Sequence, residues 1–218
     1  MTPPVPHHRT LAELEAFLPE LTAAPRDVGV LELVVRRPAV GEREVLAEGE
    51  LDLEVGLVGD TWCERGSGRS ADGGPHPDMQ ITVMSARLVA FLAGDPSRRA
   101  LAGDQLLVDL DLSHENLPAG SQLTFGEADR PGAPVIEVTP EPHTGCAKFV
   151  ERFGADAMRV VNGTVGRPLR LRGLNARVVV PGRIRPGDAV VVRRRDGSGA
   201  PAVRGTSQNR VPAVSQTA

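Results

Sequence analysis

Apolar and polar residues alternate over short stretches of this chain, and a period of two marks strands with one buried face. Residues 29–36 read Gly-Val-Leu-Glu-Leu-Val-Val-Arg and are closed by Arg36-Arg37-Pro38. Residues 51–55 form a second short strand, and Gly56-Leu-Val-Gly-Asp60 a turn after it. Strands are also expected over 80–84, 106–110, 122–125 and 134–139, the last two paired across the Gly/Pro-rich loop 127–133. Residues 169–171, 175–180 and 189–193 complete the set, with Pro181-Gly182 as a turn. Helical periodicity is confined to brief segments. Thr10 caps a helix over 11–18, Glu13 completes a capping box, and Pro19 and Pro25 mark the exit. Ser85 caps a helix reaching about Leu92. Over 146–153, Phe149, Val150 and Phe153 give one apolar face and Gly154 ends the helix, with another short helix over 155–162.

Two polar stretches interrupt this pattern. Residues 60–78 are a long Gly/Ser/Arg loop containing Cys63 and His76, and loops of this length are usually functional or mobile. Residues 111–120 are a turn holding Asn116. Both ends of the chain, 1–9 and 194–218, lack an apolar period and read as disordered. The expected organisation is a tail and short helix over 1–27, one mainly β domain over 28–193, and a tail over 194–218.

Composition supports the β-rich reading. Among 218 residues there are 24 Gly and 19 Pro, which suit many turns between short elements. Aromatic residues make up 3 %, with one Trp and no Tyr, so stacking platforms for single-stranded nucleic acid are not expected. A net charge of −3 gives no reason to expect nucleic acid or an anionic membrane as partner. Two cysteines cannot make a disulfide framework, and no apolar run is long enough to span a bilayer. A reducing cytoplasm is the expected setting.

The chemistry concentrates in Pro142-His143-Thr144-Gly145-Cys146-Ala147-Lys148-Phe149. A helix start and a nearby cation both favour thiolate over thiol, and a thiolate can attack, carry sulfur or bind a soft metal. Lys148 is the sole lysine of the chain, which either marks a role beside Cys146 or reflects a strong bias toward Arg. His143 reads as a turn-bonding residue or as a proton donor and anion contact near the thiol. Thr144 and Gly145 either form an ordinary turn or offer backbone N–H groups to an anion. Arginine binds phosphate bidentately, so Arg36, Arg37, Arg172 and Arg177 are candidates, each with a solvated surface role as the rival reading. Asn116 reads as a turn residue or a pocket contact. Cys63 and His76 are too few for a zinc site, and Asp60, Asp104 and Asp188 each follow Gly as turn formers.

Four segments in order along the chain resemble a MOSC domain, the family named after the C-terminal part of molybdenum cofactor sulfurases. They are Glu137-Val-Thr-Pro-Glu-Pro-His143-Thr-Gly-Cys146-Ala-Lys148-Phe149, Leu171-Arg-Gly-Leu-Asn175-Ala-Arg177 continuing to Pro186-Gly-Asp188, Gly56-Leu-Val-Gly-Asp60 with its His-containing loop, and Leu112-Ser-His-Glu-Asn116-Leu-Pro-Ala-Gly120. The resemblance spans roughly residues 29–192. It implies a mainly β, MOSC-type barrel-like domain with a few short peripheral helices. It also implies a Cys that works on molybdenum or sulfur in the setting of the molybdenum cofactor, molybdopterin. In some relatives that Cys binds the metal and the protein reduces N-hydroxylated compounds. In the sulfurases the domain follows a pyridoxal-phosphate desulfurase, which is not expected in this chain; the likeness is to small stand-alone bacterial members. The site so implied has Cys146 as metal ligand and catalytic group with His143 and Lys148. Thr144, Gly145, Asn116, Arg37, Arg177 and Asn175 would hold the cofactor. An external electron or sulfur donor protein and a small-molecule substrate are the implied partners. The alternative is a carrier of sulfur or molybdopterin without turnover.

Overall fold

The computed structural model describes residues 8–195. Eleven strands run in chain order: β1 (Val28–Arg36), β2 (Glu44–Leu46), β3 (Gly49–Asp52), β4 (Gly56–Leu57), β5 (Ile81–Ser85), β6 (Leu106–Asp109), β7 (Gln122–Phe125), β8 (Val135–Val138), β9 (Leu174–Val180), β10 (Gly182–Ile184) and β11 (Ala189–Arg193). The helices are α1 (Leu11–Ala16), α2 (Leu18–Thr22), α3 (Ala86–Ala93), α4 (Ala147–Phe153) and α5 (Ala155–Asn162). Strands β11, β7, β8, β9, β5, β6 and β1 are paired in that order, and β1 returns to β11, so seven strands close a barrel. Strand β2 pairs with the far end of β1, and β10, β3 and β4 form a small side sheet.

Closure depends on a glycine. Strand β1 meets β6 along one edge and β11 along the other through Val28–Val191, Gly29–Val190 and Val30–Ala189. A Cβ on Gly29 would lie 2.2 Å from the carbonyl oxygen of Asp109, so no other residue lets β1 approach β6 this closely. The ladder with β6 shifts register between Leu31 and Leu33. That bulge explains why Leu31 and Val34, three apart, both reach the barrel interior. A second shift lies between Val135 and Ile136 in the β8–β9 ladder, and β5 and β6 alternate regularly. Val83, Leu106 and Val108 point inward, whereas Met84 and Leu107 point outward to a second core.

That second core lies under the helices. Phe149 and Phe153 of α4, Ala157 and Val161 of α5, Leu88 and Leu92 of α3 and Leu14 of α1 bury together there. The only parallel pair among the described strands is β5 with β6, and their crossover is α3 plus a 3-10 turn over Pro96–Ala102. Thr10 forms the expected capping box with Glu13, and Ser85 caps α3 by accepting from the Leu88 N–H.

Several expectations need correction. Pro19 does not end the first helix; it occupies the first turn of α2, where a missing N–H costs nothing. Residues 53–55 are a turn, because the Asp52 carboxylate captures the N–H groups of Glu54 and Val55. Strand β2 was not foreseen, and Gly182 begins strand β10. Residues 169–171 are also a turn, held by the Arg170 N–H on the Arg167 carbonyl and the Leu171 N–H on that of Gly166. Arg9 is not loose: its guanidinium lies 4.4 Å from the Phe91 ring centre and donates to the Phe91 carbonyl. Arg194 is likewise fixed, to Asp27 and to the carbonyls of Arg26 and Asn116. The expected tails over 1–7 and 196–218 lie outside the described residues.

Phe153 is fully buried where α4, α5 and α3 meet. Phe153→Ala should lower the unfolding free energy by about 3–5 kcal/mol in urea denaturation, as large-to-small changes in well-packed cores do. A loss under about 1 kcal/mol would mean that the helical layer adds little to the stability of the barrel.

Candidate functional site

Two buried aspartates organise one end of the barrel; Asp60 caps the 3-10 turn Thr61–Glu64 as a turn former would, but both also pair with a distant arginine. Asp60 accepts from Arg37 Nε and Nη2, each at 2.7 Å, and from the backbone N–H groups of Arg37 and Trp62 at 2.9 Å. This bidentate pair ties the end of β1 to the start of the long loop. Asp104 accepts from Arg172 Nη1 at 2.9 and 3.0 Å. Burial pushes the Asp104 carboxyl above its ordinary value, while the charge of Arg172 opposes the shift. Arg172 also lies 5.0 Å from the ring centre of Phe149, three residues beyond Cys146 on α4. Gly173 makes this arrangement possible. Its φ is +99°, and a Cβ there would sit 2.2 Å from the carbonyl oxygen of Val83.

His143 stands over this pair, with Nδ1 3.4 Å from an Asp104 oxygen. Burial, and then the charges of Arg172 and Arg37, hold its pKa well below the usual histidine value. The ring is therefore neutral and offers one donor and one acceptor. Its Nδ1, Arg172 Nε and Asn175 Oδ1 are buried without a hydrogen-bond partner in the protein. Such atoms are rare in folded proteins and mark places where a ligand or water belongs.

The imidazole forms part of the walls of two cavities. One, of about 280 Å³, is lined by Arg37, Arg65, Trp62, His76, Thr82 and Asn175 among others. The other, of about 370 Å³, is lined by Thr144, Glu141, Arg167, Arg170 and Arg172 among others. The long loop thus faces the first cavity through Trp62, Arg65, Gly66, Ser67 and His76. Arg69 anchors that loop to the His143 segment by donating to Glu141 at 2.8 Å. Burial and the charge of Arg37 lower the Arg65 pKa, while Asp60, 3.7 Å away, opposes the shift.

Of the residues singled out from sequence, His143, Thr144, Asn175 and Arg37 come together on these walls. Gly145 follows Thr144, but its N–H already donates to Asn162 Oδ1 at 3.2 Å. It is not free for an anion, and a Cβ there would displace the Met158 sulfur, 2.4 Å away. Cys146 is the N-cap residue of α4, exposed, and lines neither cavity. Lys148 is exposed on the first turn of the same helix.

Two expected cofactor contacts, Asn116 and Arg177, line neither cavity. Asn116 is fully buried; its Nδ2 donates to the carbonyls of Arg26 and Asp111, and its Oδ1 accepts from Arg26 and Arg194. Arg177 is neutralised on the sheet surface by Glu137 at 2.7 Å and Asp78 at 3.4 Å. Nothing local in the sequence marks Asp60 and Asp104 as the partners of Arg37 and Arg172. Nor does it mark Arg170, which lies in a segment expected to be a strand. Arg170 has φ +47°, the one non-glycine residue with positive φ among those described. No group of three or more candidate metal ligands of the His, Cys, Asp or Glu type occurs among the described residues. No helix there is long and apolar enough to cross a membrane.

No family model matches the chain, and no curated protein matches it in sequence. Solved structures do match in shape. The YuaD protein of Bacillus subtilis superposes with a TM-score of 0.53 at 18 % identity, over 76 % of this chain and 95 % of that one. YiiM from Escherichia coli gives 0.47 at 20 % identity, over 76 % and 70 % of the two chains. YiiM from Geobacillus stearothermophilus gives 0.45 at 14 % identity, over 78 % and 74 %. The first of these likenesses shows a shared fold, the MOSC-type barrel implied by the sequence resemblance.

The buried histidine gives a pH signature with a definite sign. An unfolded histidine takes up a proton near pH 6.5 and the folded His143 does so only well below it. Stability is therefore full above that pH and falls as pH drops below it, by up to about 1.4 kcal/mol per pH unit. His143→Gln should flatten this limb in urea titrations between about pH 7 and 5. His114, lowered by burial and by Arg170, leaves a residual slope. Asp104, raised by burial, acts in the opposite direction. Equal slopes in wild type and variant would show that the folded imidazole protonates normally.

Proposed function

We propose that this MOSC-type barrel is a molybdenum-cofactor-associated protein that holds the phosphate-bearing pterin in the cavities flanking His143, with Cys146 as the soft ligand for molybdenum or the carrier of sulfur. The observation that carries this reading is the set of unpartnered buried atoms, His143 Nδ1, Arg172 Nε and Asn175 Oδ1, beside two arginine-lined cavities. A pterin is a flat heterocycle with donors and acceptors on its edge, and its phosphate calls for guanidinium groups. The residues present fit such a group. Arg65 and Arg167 supply the cations, and Asn175 and His143 the polar contacts. Cys146 is two residues beyond Thr144, whose side of the chain borders the larger cavity, so their Cα atoms lie within about 7 Å of each other.

Molybdenum bound through the thiolate would supply the redox or sulfur chemistry. The protein's own groups position and shield. His143, beside the Asp104–Arg172 pair, can as a neutral imidazole take or give a proton at the ligand edge. The loop around Trp62 and Arg65 lines the first cavity and would screen a bound ligand from water. Electrons or sulfur would arrive from a partner protein, and N-hydroxylated compounds are the substrates to assay first. Exposure of Cys146 favours the second reading, in which the thiol hands sulfur or cofactor to another protein without turnover.

Purification from a host that makes molybdopterin tests both readings. We expect stoichiometric molybdenum in wild type and Cys63→Ser, and about a tenfold loss or more in Cys146→Ser, in line with removal of a metal ligand. A labile persulfide on Cys146 without molybdenum would favour the carrier. Neither molybdenum nor persulfide would remove the proposal.

A further inference from the structure

A third cavity, of about 300 Å³, lies behind the site just described. His114 and Arg170 border it and the 370 Å³ cavity alike, so the two spaces meet at these side chains. Leu21, Leu110, Leu112, Leu169 and Leu171 give the third cavity apolar walls. Thr22, Ser113, Asp111 and Glu115 add hydroxyls and carboxylates.

Arg170 makes no ion pair among the described residues. Its one side-chain hydrogen bond among the described residues goes from Nη1 to the Leu117 carbonyl at 2.6 Å, which leaves most of the guanidinium's five donors unused. Burial alone lowers its pKa to about 10, with no carboxylate to offset the shift. Arg167, on the rim of the larger cavity, also has no carboxylate partner among the described residues. By contrast Arg37 and Arg172 are each committed to a buried aspartate.

We propose that the cavity walled by leucines binds the base and sugar of a nucleotide, with the phosphate held by Arg170 where the two cavities join. The leucines suit the flat faces of a base, and the Asp111 and Glu115 carboxylates suit its amino groups or the sugar hydroxyls. Glu115 is already engaged by Arg26 at 2.9 Å, and Asp111 by the Ser113 N–H and by Arg26 at 3.8 Å. A fatty acyl chain would have no use for these carboxylates, and a lone phosphate none for the leucines. Each cavity is at the lower end of the size range of small-molecule sites, and the pair falls within it. This site needs neither Cys146 nor molybdenum.

The test uses full-length protein from a host lacking molybdopterin. Ribonucleoside 5′-monophosphates, their parent nucleosides and inorganic phosphate are titrated by calorimetry. At least one monophosphate should bind with a dissociation constant of about 10–100 μM, and about tenfold or more tighter than inorganic phosphate. Arg170→Asn removes the cation while keeping a residue that accepts positive φ, and should weaken nucleotide binding about tenfold or more. Thr22→Trp, at an exposed position on the cavity rim, should block the nucleotide and spare inorganic phosphate. Thermal unfolding checks that both variants are folded. Failure of every monophosphate to bind wild type would overturn the proposal. So would inorganic phosphate binding as tightly as nucleotides, with Thr22→Trp without effect. Absence of molybdenum in the cofactor experiment would leave this outcome untouched.

Discussion

The double pairing of β1 is the constraint on which the rest of the structure depends. Its first half meets β11 on one edge and β6 on the other, which closes seven strands into a ring. Closure removes free edges over that half and sets an inside and an outside for every strand. The inside fills with Val, Leu and Ile, and the outside of β5 and β6 carries Met84 and Leu107 to the helical layer. The last residues of β1 then pass to Arg37, so the element that closes the barrel also presents the first cation of the candidate site.

Charge at the site is managed by pairing rather than by exposure. Asp60 and Asp104 are buried and would be costly alone, and the same holds for Arg37 and Arg172. Each pair joins segments distant in sequence: β1 to the long loop, and the 3-10 turn before β6 to the approach to β9. Pairing does not cancel all the positive charge. Arg65, Arg167 and Arg170 stand near the cavities with less compensation, and burial lowers the pKa of Arg65 and Arg170. An anionic ligand would relieve that condition, which is the physical basis for proposing a phosphate there.

The position of Cys146 separates two kinds of chemistry. The thiol is at the surface while the histidine three residues earlier, its side chain 13 % exposed, lies between the cavities. Arg172 joins the two regions, touching Asp104 beside His143 and the Phe149 ring on the helix that Cys146 begins. A ligand that disturbs Arg172 therefore disturbs the base of the thiol's helix. An exposed thiol with such a connection suits exchange with a partner as readily as it suits catalysis inside a pocket.

Much of the fold was legible in the chain because it rests on local rules. Alternation marked most barrel strands, Thr10 with Glu13 and Ser85 marked helix starts, and Gly154 marked the end of α4. The resemblance carried by the segment around Cys146 implied the MOSC-type barrel, which the shared fold with YuaD bears out. Short strands such as Glu44–Leu46 and Gly182–Ile184 escaped, since three residues have no readable period and exist only through their partners. Asp60 and Asp104 looked like turn residues for the same reason: a Gly-Asp pair says nothing about an arginine many positions away. Likewise Asn116 and Arg177 are ordinary polar residues in sequence, and only their neighbours in space turn one into a clamp and the other into a surface ion pair. The chain by itself determined where the longer strands and the capped helices begin and which residues have reactive side chains. The tertiary structure decided which charges meet, which cavities they face and which groups are left without a partner, because burial and Coulomb energy depend on distance through space.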